Sequence, residues 1–220
     1  METCPQRIQL RLHMPPAFQQ VGESRCFRQA LGRIVRTLRR TQGHRLGLAI
    51  HRCCSWKSAR HSKKRVVGKE VGNNPTDRGK PGTKKNILTD GSGIPLAVTI
   101  CPANRHDNTQ VAGLLDAIVV LRPETAQHMC ADKGYDYDNT RDLLANRGYQ
   151  VHIPIRGLDT PTPEPGDPDR HPARRWVVER CIAWLHKFRK ILVRYERQAE
   201  NYLGLIQFAC CLILYRKLLT

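Results

Sequence analysis

Two carboxylates stand out for the chemistry their surroundings would permit. They are Asp132, in Ala131-Asp132-Lys133-Gly134-Tyr135-Asp136, and Glu179, in Arg174-Arg175-Trp176-Val177-Val178-Glu179-Arg180. Asp132 follows a short apolar run and stands just before a glycine, so it is expected at a strand end where the chain turns. Glu179 lies in a segment where Val178, Ile182, Leu185, Phe188 and Leu192 recur at helical spacing, so it is expected on a helix. Acidic side chains delivered from different elements can share divalent metal ions. Such carboxylates bridge two Mg²⁺ ions about 4 Å apart in enzymes that cut and rejoin phosphodiesters. Each residue also has a plainer account: Asp132 as a turn cap before Gly134, and Glu179 as part of a solvated helix face with i,i+4 ion pairs.

The elements that must position these residues begin near residue 86. Asn86–Asp90 and Pro95–Cys101 flank Gly91-Ser92-Gly93 and predict a hairpin. Asp107 or Asn108 is expected to cap a helix carrying Val111, Leu114, Leu115 and Ile118 as far as Pro123. A strand over 127–131, a helix from Asp138 or Asn139 to Gly148, and a strand over 150–155 follow. Residues 157–172 hold five prolines and are expected to be irregular. A helix from Ala173 to about Arg194 and a buried last helix from about Ala199 to Leu219 close the chain. On the first of these, Arg175, Glu179 and His186 share a face distinct from the buried stripe. This order predicts a mixed α/β domain. With one more strand before residue 86, it would be a ribonuclease-H-like mixed sheet with flanking helices.

The charge is uneven. The 220 residues carry a formal +18, and residues 1–65 alone hold 15 Lys and Arg against 2 acidic residues. A surplus of this size points to a polyanionic partner, most simply double-stranded DNA. Residues 1–71 therefore divide off as a basic N-terminal segment, partly helical or disordered, from a domain at 72–220. Nine cysteines with no C-x-x-C spacing argue against a disulfide framework and a structural zinc site, and they suit a reducing cytoplasm. No apolar leader opens the chain. The run Leu203–Tyr215 is too short to span a bilayer, so no membrane partner is expected.

The chain closely resembles bacterial insertion-sequence transposases of the Asp-Asp-Glu (DDE) type, in the insertion-sequence-five-like group of the insertion-sequence-four-like superfamily. The resemblance is carried by Gly72-Asn73-Asn74-Pro75-Thr76-Asp77-Arg78-Gly79-Lys80-Pro81-Gly82-Thr83-Lys84, Leu88-Thr89-Asp90-Gly91, Ile94-Pro95-Leu96-Ala97-Val98 and Ala103-Asn104-Arg105-His106-Asp107. It continues in Ala131–Asp136, in Arg175–Arg180 and in Ala183-Trp184-Leu185-His186-Lys187-Phe188-Arg189. It implies a ribonuclease-H-like catalytic domain that binds transposon ends and target DNA, as a homo-oligomer on that DNA, and uses Mg²⁺ to cut and join strands in the nucleoid. Carried across by position, the second catalytic Asp falls on Asp132 and the catalytic Glu on Glu179, both as metal ligands. Arg175 matches the arginine of the family's Tyr-Arg-Glu-Lys signature, and His186 stands where that signature has lysine. Arg175, Arg180, His186 and Lys187 are the expected DNA contacts.

One ligand is missing from this pattern. The family's first Asp should end a strand around residues 50–60, yet no acidic residue lies between Glu23 and Glu70. The segment His51–Arg65 is instead basic and rich in Cys and Ser, like a translation in a shifted frame. The expectation is a transposase with impaired chemistry, the alternative a non-catalytic DNA-binding protein derived from one. Asp90 and Asp107 are weaker substitutes, better explained as turn and cap residues. The run Gly32–Arg40 is expected to be a solvated amphipathic helix. Trp176 and Trp184 are expected in the core, with stacking on a splayed base as the alternative.

Overall fold

The computed structural model describes residues 48–52, 56–57, 70–120, 122, 126–157 and 175–219, together with Arg33. The expected helix Gly32–Arg40 and the irregular segment after Gly157 lie outside these residues, apart from Arg33, which is helical. In chain order the strands and helices are β1 (Leu48–Arg52), β2 (Trp56–Lys57), β3 (Gly72–Asn73), β4 (Pro81–Thr89), β5 (Pro95–Pro102), α1 (Val111–Asp116), β6 (Gln127–Ala131), α2 (Asp138–Asn146), β7 (Tyr149–His152), α3 (Arg175–His186), α4 (Arg189–Leu192) and α5 (Ala199–Leu218).

β4 organises the sheet. One edge pairs antiparallel with β5 and the other antiparallel with β1, while the two-residue strands β2 and β3 add to its first residues. β1 then pairs parallel with β6, and β6 parallel with β7. The order β5-β4-β1-β6-β7, three antiparallel strands continued by two parallel ones, is the ribonuclease-H-like arrangement. The strand wanted before residue 86 is β1, at the centre of the sheet. The sheet therefore begins upstream of residue 72.

Neighbouring residues of β4 feed opposite cores, as the period of two along a strand requires. Leu88 joins Ile94, Leu96, Leu114, Leu115, Met129 and Leu144 beneath α1 and α2, whereas Ile87 joins Val98, Val178, Cys181, Leu185, Tyr202 and Ile206 beneath α3 and α5. The result is a three-layer stack, helices on both faces of the sheet. Cys101, Cys130, Cys181 and Cys210 are all buried, and burial pushes the Cys210 thiol up to about 12.

Two of the buried cations lie deepest inside these layers. Lys85 donates to the Ile191 carbonyl at 2.8 Å and faces the Tyr202 ring. Arg194, 2 % exposed, donates to the carbonyls of Glu70, Glu196 and Arg197 and to the Thr83 hydroxyl, with its guanidinium over the same tyrosine. A buried charge is tolerable only when its donors find partners, and here carbonyl oxygens supply them.

Several elements differ from expectation. The Asp107 carboxylate pairs with Lys84 at 3.1 Å, and the residue lies inside a single 3-10 turn, Asp107–Gln110, whose N-cap is His106; the turn leads into an α1 that has Gln110 as its N-cap and stops at Asp116. β7 ends at His152, short of Ile155. The long helix breaks after His186 and resumes as α4, which brings Ile191 inward while Leu192 is only half-buried. Asp90 is a turn residue as expected: its carboxylate accepts from the backbone N–H groups of Ser92 and Ile94.

Candidate active site at the carboxyl end of the parallel strands

Asp132 stands immediately after the last residue of β6. It is half-buried, and its Oδ1 accepts from the Lys133 N–H at 2.8 Å, capping the one-turn 3-10 helix Lys133–Tyr135. The capping account is thus correct for one oxygen, and the other takes no part in that bond.

The turn after Asp132 is clamped from the end of β7. Arg156 donates from Nε to the Lys133 carbonyl at 2.9 Å and from Nη2 to the Gly134 carbonyl at 3.1 Å, while its guanidinium lies 4.6 Å from the Tyr137 ring centre. The Arg156 backbone N–H donates to Asp136 Oδ2, and Arg141 grips Asp136 Oδ1 with two donors. The Arg156 N–H first, then Arg141, holds the Asp136 carboxyl below the usual carboxylate range. From the other side the His106 Nε2 and the Tyr137 hydroxyl approach to 3.1 Å. Asp136 and His106, which belong to the motifs carrying the family resemblance, thus act in holding the Asp132 turn. Sequence reasoning missed Arg156, because bonds to backbone carbonyls leave no spacing signature.

Glu179 is exposed on α3, and α3 packs across β1 and β4. Its first turn is met by the β4–β5 hairpin: Gly93, at φ +83°, leaves only 3.2 Å between a built Cβ and the Val177 carbonyl. The hairpin follows Thr89, which pairs with Ala49 near the amino end of β1, so α3 starts there and packs across β1 and β4, whereas Asp132 stands at the carboxyl end of β6, next to the carboxyl end of β1. In open sheets with parallel strands this is where ligands bind.

The residue that β1 offers there follows from register. Ile50 pairs with Ala131, so one residue further along the parallel ladder His51 stands beside Asp132. On the other edge His51 pairs with Ile87. Mg²⁺ takes oxygen ligands, whereas imidazole suits softer divalent metals. Asp132 and Glu179 alone fall short of the acidic set a two-Mg²⁺ site needs, and among the described residues no group of three His, Cys, Asp or Glu gathers to hold a metal ion.

The expected DNA contacts differ in character. Arg175 opens α3, and its side chain lies outside the described residues. Arg180 is exposed and stacks 4.5 Å from the Trp176 ring, which is itself 56 % exposed and not in the core as expected. Lys187 is exposed just past the helix. His186 is half-buried. Burial first, then the positive charge of Lys85, pulls its imidazole below the ordinary value, which disfavours the positive charge that the lysine of the family signature carries.

Residues 36–214 match the family model described as the transposase DDE domain. A protein named as a transposase for insertion sequence element IS402, from Burkholderia cepacia, is 38 % identical over 155 residues, covering 68 % of this chain and 70 % of that protein. One named as a transposase for insertion sequence element IS6501, from Brucella ovis, is 26 % identical over 134 residues, or 61 % of this chain and 98 % of that protein. Among solved structures the Mos1 strand transfer complex aligns over 69 % of this chain and 45 % of that one, at 15 % identity and a TM-score of 0.29, too distant to add to the topology.

Proposed function

The chain belongs to the transposase DDE-domain family, and from that premise we propose that it binds the ends of a bacterial insertion sequence as double-stranded DNA while its strand-cutting chemistry is impaired. The observation that supports this most directly is that no acidic residue lies between Glu23 and Glu70, the stretch in which the family resemblance asks for an Asp at the end of a strand. Asp132 and Glu179 are read as the two retained catalytic carboxylates. In the family such carboxylates hold Mg²⁺, which activates the attacking oxygen and stabilises the leaving one. The residues present here fall one acid short, so no cleavage step is assigned to them. Binding draws on a different part of the chain, the net +18, with Arg180 and Lys187 exposed on and just beyond α3.

The test measures binding and nicking side by side. Labelled duplexes carrying the terminal repeats of the encoding element are titrated with protein, then incubated with Mg²⁺ or Mn²⁺. The expected result is salt-sensitive binding without detectable nicking. Mg²⁺-dependent nicking that Asp132→Ala and Glu179→Ala abolish would overturn the impaired reading. Absence of any DNA binding would overturn the proposal as a whole.

A further inference from the structure

We propose that the groove between the end of α3 and the last turns of α5 is a nucleotide pocket, which takes one unpaired base of a DNA strand together with its phosphate. The pocket, roughly 250 Å³ in volume, is lined by Trp184, Lys187, Phe188, Ile213, Arg216 and Lys217. Three of these six residues are cationic and none is acidic. The other three form an apolar wall, with Ile213 buried and the Trp184 and Phe188 rings half-buried.

That combination matches a nucleotide on two counts. An unstacked base needs a flat ring beside it, and its phosphate needs cations a few ångströms away. Base–aromatic stacking contributes about 1–3 kcal/mol per base and tolerates any sequence. Trp184 already receives a cation: the Lys217 Nζ lies 4.9 Å from its ring centre. The electron-rich face of the indole is therefore reachable from solvent by a charged group of that size. A base stacking there would displace the Lys217 ammonium toward the phosphate, beside Arg216 and Lys187, both exposed. A duplex cannot use this site, because its bases are already stacked on one another. The pocket selects for a single-stranded end, a frayed terminus or an extruded base.

The inference rests on the reading of the chain as a DNA-binding protein, and the experiment separates the two. Fluorescence anisotropy of the full chain is measured against three probes: a short blunt duplex, the same duplex with a one-nucleotide overhang, and phosphatidylserine vesicles as a competing anionic surface. The wild type is expected to bind the overhang about tenfold tighter than the blunt end, the value of one modest stacking contact. Trp184→Leu is expected to reduce that preference to about twofold while leaving the blunt-end affinity nearly unchanged. The exposed changes Lys187→Ala and Arg216→Ala, which do not threaten folding, are expected to reduce overhang binding more than blunt-end binding. Equal affinity for the two duplexes in the wild type, or a preference untouched by all three variants, overturns the pocket while the DNA-binding reading stands. Competition by vesicles that these variants relieve assigns the groove to a membrane surface and likewise overturns the inference. Failure of every DNA probe to bind defeats the parent reading instead.

Discussion

Replacing Arg156 with alanine removes the side-chain clamp on the Asp132 turn, and its effect can be worked from the contacts. The side chain makes two hydrogen bonds to carbonyls and one cation–π contact with Tyr137. Hydrogen bonds of this kind contribute about 0.5–1.5 kcal/mol net, and the lower end of that range applies because Arg156 is exposed. An exposed cation–π contact adds about 0.5 kcal/mol, for a total near 1.5 kcal/mol. For a chain of this length the melting temperature should then fall by about 3–6 °C. The local effect is more telling: amide hydrogen exchange across 133–137 should accelerate by about tenfold if that loop opens on its own. Arg156→Lys keeps the charge but not the two-pronged donor geometry, and it should recover less than half of the lost protection. Unchanged exchange in Arg156→Ala, or full recovery by lysine, would refute the clamp. The same loop carries a pH signature. Because the Asp136 carboxyl is held below its ordinary range, its contribution is complete above a pH of about 4 and is lost as the pH falls through the depressed value.

Three further outcomes are expected. His186 has a lowered pKa in the folded state, so its neutral form stabilises the fold above its unfolded pKa of about 6.5 and acidification below that value destabilises it; melting curves from pH 7.5 down to 5.5 should flatten in His186→Gln, and identical slopes would contradict the assignment. His51→Asp supplies the missing acid beside Asp132, so millimolar Mg²⁺ should raise the melting temperature of this variant but not of the wild type, and adding Asp132→Asn should cancel the gain. Gly93→Ala combines a left-handed backbone with a close approach to the Val177 carbonyl, and chemical denaturation should show a loss of about 1–2 kcal/mol or more.

The helices and strands from residue 86 onward were legible because their apolar residues keep a clean period, and the hairpin because Gly91-Ser92-Gly93 punctuates it. β1 was not legible. Leu-Ala-Ile-His-Arg is short, lies in a basic stretch and is held by β4 and β6 on either side, which are partners distant in sequence. The cap assigned to Asp107 failed because Lys84, two strand positions from the core residue Asn86, draws the carboxylate into an ion pair. Trp176 was misjudged by composition: tryptophan favours burial on average, but its neighbour Arg180 gives it a partner at the surface. His186 looked like a mild replacement for lysine, but burial first, and then the charge of Lys85, a cation that no periodicity reveals, lowers its pKa.

Arg194 and Lys85 have a consequence for how the chain is made. Arg194 reaches back 124 residues to Glu70 and 111 to Thr83, and Lys85 waits 106 residues for the Ile191 carbonyl. While the ribosome is still translating the region before α4, the Ile191 carbonyl that receives the Lys85 ammonium does not yet exist, so this tie between β4 and α4 is made late. A message cut short before residue 191 would release a product in which this buried bond cannot form.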